Sequence, residues 1–113
     1  NAGVYNYAFS VQVTNNTAQI HPLEVWVRQN GVDIPNSSSV VNLPVKRGSV
    51  DSETILALNL LIPVQAGDYL ELIWLADDAS VSLSTVPASV VAPIHPQSPA
   101  VILTVTFVSA LPA

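Results

Sequence analysis

Residues 23–35 read L-E-V-W-V-R-Q-N-G-V-D-I-P. Leu23, Val25 and Val27 alternate with Glu24, Trp26 and Arg28, the two-residue period of a strand with one face buried. Asn30-Gly31 interrupts the alternation. Both residues tolerate positive φ, and such a pair between alternating segments is the strongest short-range hairpin signal. Val32, Asp33 and Ile34 resume the pattern until Pro35, which has no N–H to give a ladder. The stretch predicts a tight hairpin and an antiparallel β protein.

Outward from it the same period recurs. Tyr5, Tyr7, Phe9, Val11 and Val13 alternate with polar or small residues, a long strand with an aromatic-rich face. Asn15-Asn16-Thr17 reads as a loop. Val41, Leu43 and Val45 alternate around Pro44, which places that strand at an edge or a bulge. Residues 55–64, I-L-A-L-N-L-L-I-P-V, are apolar at almost every position. Leu and Ala favour a helix there, but flanking turn signals and Pro63 favour a strand covered on both faces, by a core and by a partner. Gln65-Ala66-Gly67-Asp68 predicts a turn, 69–75 a strand with Leu70, Leu72 and Trp74 on one face, and Asp77-Asp78 another turn. Val81, Leu83 and Thr85 alternate again. Residues 87–99 are proline-rich extended loop with a short strand expected at 89–92. Residues 100–108, A-V-I-L-T-V-T-F-V, are β-branched and apolar, and predict a central strand. About eight strands and no helix predict an all-β sandwich, jelly roll or barrel. No repeat or linker divides the chain, so residues 1–113 are expected to form one domain.

Composition narrows the function. Half of the residues are hydrophobic and only 10% are charged, against about 25% in ordinary domains. A neutral Ser/Thr/Asn-rich surface accommodates part of this. Burial of the remaining surface against other subunits accommodates it better. Net charge is −5, and Arg28, Lys46 and Arg47 are the only cations, too few to track a phosphate backbone, so no nucleic acid is expected. No apolar run approaches the ~20 residues of a membrane-spanning helix, and no membrane partner is expected. The chain has no Cys, which removes disulfides, thiol catalysis and Cys-bound zinc. It begins at Asn1, not Met, so a processed product or a piece of a longer chain is expected.

Catalytic signals are weak. His21 and His95 each precede a proline. A metal ligand or general base is one reading; a loop histidine held extended by its proline is the plainer one. Asp77-Asp78 reads as an exposed acidic turn and not as a calcium site. There is no Gly-rich phosphate loop, zinc spacing or G-x-S-x-G. No enzyme activity, metal or cofactor is expected. Trp26 and Trp74 fit sugar stacking or partner anchoring if exposed, and a core or subunit seam if buried. Their mid-strand positions favour the second.

Three segments together resemble a known family: E-V-W-V-R-Q-N-G-V-D-I-P-N-S at 24–37, P-V-Q-A-G-D-Y-L-E-L-I-W at 63–74, and P-A-V-I-L-T-V-T at 99–106, with Y-N-Y-A-F-S-V-Q at 5–12 ahead of them. In this order they look like the small jelly-roll domains of tailed-phage and cyanophage virion proteins, which are similar in layout to complement globular heads and the tumour-necrosis-factor superfamily. The resemblance implies an antiparallel jelly-roll sandwich of eight to ten strands that forms homotrimers around an apolar three-fold axis. It implies a structural virion protein on the particle's outer surface: a capsid decoration (cement) protein bound to the major capsid protein, or alternatively the head of a tail or capsid fibre with a receptor- or glycan-binding role. It carries over no catalytic residue and no metal site. Core or trimer-interface candidates are Tyr5, Tyr7, Phe9, Trp26, Leu58, Leu60, Ile62, Tyr69, Trp74, Val105 and Phe107.

Overall fold

The computed structural model describes residues 2–111. Eight strands run in chain order: β1 (Gly3–Asn15), β2 (His21–Gln29), β3 (Val32–Asp33), β4 (Ser39–Leu43), β5 (Ser52–Val64), β6 (Leu70–Ala76), β7 (Val81–Leu83) and β8 (Val101–Ser109). There is no helix among the described residues. The strands form two antiparallel sheets. In the first, β1 is the spine: β5 pairs along its whole length on one side, and β8 and then β7 share the other side. In the second, β2 is central, with β6 on one side and β4 and β3 end to end on the other.

The period of two decides which side chains meet. Tyr7, Phe9, Val11 and Val13 of β1 are buried together with Leu23, Val25 and Val27 of β2, and Leu43, Ile62 and Val81 complete the cluster. Each such side chain contributes about 1.5–3 kcal/mol by leaving water. β5 keeps the alternation that its uniform apolarity concealed in the sequence. Leu56, Leu58, Leu60 and Val64 pack against the core, whereas Ile55 and Leu61 are about two-thirds exposed. The strand is therefore covered on one face in a single chain.

The hairpin forms as its sequence requires. Asn30 and Gly31 have φ of 54° and 80°, the primed-turn geometry that matches strand twist, and the Ile34 amide donates to the Val27 carbonyl at 3.0 Å. An added Cβ at Gly31 meets only the Tyr69 hydroxyl, at 3.5 Å, so crowding is minor and the backbone conformation sets the cost. Gly31→Ala is expected to lower stability by about 1–2 kcal/mol and Gly31→Asn by less. A reduced urea midpoint at unchanged slope is the corresponding measurement.

The C-terminal strand departs from expectation. β8 is an edge strand, not a central one: it pairs with β1 alone, and all nine of its residues are exposed. Its apolar composition correctly signals a strand, but the second sheet does not cover it. Gly3 permits its close approach to β1, since a Cβ there would stand 2.5 Å from Phe107 Cε2 and 2.8 Å from the Ser109 carbonyl. The short strand expected at 89–92 is reduced to a single Ser89–His95 bridge, and the strand at 81–85 stops at Leu83. His21 is a strand residue, 8% exposed, and not a loop histidine.

A compact protein of 11.9 kDa has about 5,900 Å² of accessible surface; this chain has 7092 Å². Its radius of gyration is 16.9 Å, against about 13 Å for this length. The surplus surface is the geometric counterpart of the low charge.

Candidate functional site

A continuous exposed apolar strip runs along β8. Leu103, Val105 and Phe107 lie opposite Phe9, Tyr7 and Tyr5, so they share the core-facing side of the first sheet, yet each remains about half exposed. A cleft of about 290 Å³ opens there between the sheets, lined by Tyr5, Tyr7, Val64, Asp68, Leu70, Leu103 and Val105. Tyr5 and Phe107 meet edge to face at 5.5 Å, a contact of about 0.5–1.5 kcal/mol that fixes the far end of the strip. On the reverse side of β8, Ile102 is equally exposed, as is Val108 at the bulge opposite Val4 and Tyr5. Both faces of one edge strand thus offer apolar surface, and charge is sparse around it.

The other interface candidates divide by position. Tyr7, Phe9 and Ile62 are buried in the core, and Leu58 and Leu60 pack on its margin. Tyr69 is 55% exposed at the start of the segment leading into β6. Trp74 faces inward beside Val25 but sits at the sheet edge, 39% exposed. Trp26 lies outside the core altogether. Core residues Val25 and Val27 flank it on β2, so it projects to the outer face of the second sheet, partly exposed.

That outer face carries polar chemistry that the sequence reading missed. The Trp26 indole N–H donates to Asp33 Oδ1 at 2.8 Å, and Arg28 Nε donates to the same oxygen at 2.9 Å. Ser38 Oγ donates to Glu24 Oε2 at 2.6 Å. Hydrogen bonding from Arg28, then from Trp26, holds the Asp33 carboxyl below its ordinary range. A two-residue turn at 30–31 places Arg28 opposite Asp33 by register alone.

Three other polar groups are structural. Asp68 accepts from Asn30 Nδ2 at 2.8 Å, from the Gln65 amide at 2.8 Å and from Gln29 Nε2 at 3.0 Å, tying the 65–68 turn to the hairpin tip. These bonds, that from Asn30 first, lower its pKa. A carboxyl whose folded pKa is depressed stabilises the fold above its unfolded value, 3.8 here, and that contribution is lost as pH falls through the folded value. The urea midpoint is expected to drop as pH falls from about 5 through the folded value below 3.8, and Asp68→Asn to drop less over the same range. His21 Nδ1 lies 2.9 Å from Asp77 Oδ1, and Nε2 lies 3.7 Å from Asp78 Oδ2, so the histidine anchors the acidic turn to the start of β2. His95 is placed in the proline-rich segment with Nδ1 2.9 Å from the Pro96 carbonyl.

No group of three or more His, Asp or Glu among the described residues is placed to share a metal ion, and no helix among them is long and apolar enough to cross a membrane. No family model, curated protein or solved structure matches the chain.

Proposed function

We propose that this chain is a structural protein of a phage virion, a jelly-roll homotrimer that decorates the outside of the head and cements the major capsid protein lattice. The observation that carries the reading is β8, a nine-residue apolar edge strand exposed on every residue. An unpaired edge of that kind is a template for association unless something covers it, and a second and third copy of the chain are the cover proposed here. The surplus of roughly 1,100 Å² over a compact monomer exceeds the ~800 Å² that each partner gives to a standard interface. The order of the W-V-R-Q-N-G, A-G-D-Y and V-I-L-T-V segments supports the virion assignment.

A rigid trimer fits a three-fold position on a shell, where each copy contacts the lattice identically. Its action there is mass action: binding the assembled shell and not its free subunits stabilises assembly, by about 2.7 kcal/mol at a free concentration 100-fold above Kd. The alternative, the head of a tail or capsid fibre, is favoured by the polar cleft at Trp26, which faces away from the core.

Particle composition separates the two. Quantitative mass spectrometry and cryo-microscopy of purified virions are expected to find hundreds of copies over the head. A few copies on an appendage support the fibre reading, and absence from the particle defeats both.

A further inference from the structure

The outer face of the second sheet carries a small, pre-built site. Glu24 and Trp26 project from β2, Asp33 reaches in from the hairpin's returning strand, and Ile34 and Ser38 close the side, enclosing an open cleft of about 230 Å³. A second hollow of about 180 Å³, lined by Pro22, Val40, Leu75 and Ala76 among others, shares the Glu24 wall. From this geometry we propose that the paired clefts bind a neutral oligosaccharide, with one pyranose ring against Trp26 and the next over the Val40–Leu75 surface.

The chemistry selects that ligand class. An indole presents a flat apolar surface to the C–H face of a sugar ring, and neighbouring carboxylates accept its hydroxyl protons. Trp26 is held by its bond to Asp33, which Arg28 also grips, and Glu24 is held by Ser38. Little side-chain freedom is lost on binding, which favours affinity for a small ligand. The first cleft lies below the roughly 300 Å³ at which sites for drug-sized molecules begin, a scale suited to one ring. Charge excludes the obvious competitors. Glu24 and Asp33 disfavour an acidic sugar. The Asp33 charge is answered by Arg28 at 2.9 Å, and a single aromatic residue lines the cleft, so there is no aromatic cage for a quaternary ammonium ion. The site deepens the fibre-head reading and rests on it for its role, but its test reads ligand binding alone, so its failure leaves the oligomeric state and the place on the particle untouched.

The test uses the two tryptophan indole N–H resonances of the whole protein as reporters. The probes are D-glucose, D-galactose, D-mannose and N-acetyl-D-glucosamine, then cellotriose and chitotriose, with tetramethylammonium as the cationic control. At least one saccharide is expected to shift the Trp26 signal saturably, with Kd on the order of millimolar and a trisaccharide tighter than its monomer, while Trp74 stays in place. Trp26→Ala is expected to abolish the Glu24-adjacent amide shifts. Glu24→Gln, which keeps the fold, is expected to weaken binding roughly tenfold. No Trp26 shift with any saccharide at tens of millimolar, equal shifts at Trp74, undiminished binding by Glu24→Gln, or stronger binding of tetramethylammonium than of every saccharide overturns the proposal.

Discussion

Val105→Asp is expected to reduce the native mass of the proposed trimer, three times 11.9 kDa, to that of one chain, with the fold retained. Val105 is half exposed in the single chain, beside Tyr7 on the uncovered half of the first sheet. A carboxylate there still reaches water in a monomer, so the fold loses about 1 kcal/mol or less. In an assembly that covers β8, the same carboxylate is stripped of water beside aromatic and aliphatic groups without a cation to pair it, at a cost of several kcal/mol per copy. Every 1.4 kcal/mol is tenfold in an association constant, and a closed trimer carries the change three times. Val90→Asp is the control. Val90 is 90% exposed in the proline-rich segment, away from the strip, and its substitution is expected to leave the mass unchanged. Light scattering across micromolar concentrations reads all three proteins. A monomeric wild type removes the trimer, and with it the decoration mechanism. A wild-type trimer that survives Val105→Asp keeps the trimer but moves the interface off β8.

The outcome at β8 also marks where sequence patterns stop being informative. The Asn30-Gly31 hairpin was legible because a two-residue turn is fixed by local φ alone. The alternation of β1 was legible because its outward residues are polar. β8 is different: V-I-L-T-V-T-F-V reports only that water is to be avoided, not which body does the covering, so it reads the same whether a second sheet or a second subunit lies on it. β5 was ambiguous between helix and strand for a related reason, since Ile55 and Leu61 on its outer side are as apolar as Leu58 and Leu60 on its inner side. The polar cleft was half legible. Hairpin register puts Arg28 across from Asp33, but the bond from Trp26 depends on side-chain direction, and its mid-strand position, which favours a core or seam, does not say which face of the sheet it takes. His21 was misread because the carboxylates it meets are 56 and 57 positions away.

Asn15 illustrates the same limit and supports the second large effect. In sequence, Asn15-Asn16-Thr17 reads as a loop; in the fold, Asn15 is the last residue of β1 and completely buried. Its Nδ2 donates to the carbonyls of Gln19, at 2.9 Å, and Pro44, at 3.0 Å, while its Oδ1 accepts from the Thr17 amide at 3.0 Å and hydroxyl at 2.8 Å. The side chain therefore folds the 16–20 loop around itself and clamps the end of the first sheet to the residue that follows β4 in the second. Asn15→Ala takes the partner from the Pro44 carbonyl and the Thr17 amide, while the Gln19 carbonyl keeps the Thr17 hydroxyl at 2.9 Å. With Pro44 and Gln19 on exposed positions, where water relieves part of the penalty, a loss of about 1–3 kcal/mol is expected, a substantial part of a typical domain's stability. Asn15→Asp keeps the shape but points a carboxylate at the two carbonyl oxygens, and its loss should be larger near neutral pH. Burial and those oxygens raise the folded pKa of the new acid above its unfolded value of about 3.9. The folded state then holds its proton more tightly, so the deficit against wild type should be smallest below about pH 4 and grow as pH rises through the unfolded value. Urea unfolding of wild type and both variants across that range distinguishes the clamp from a loop residue: a pH-independent deficit below 1 kcal/mol in both variants means that the two sheets are held together without it.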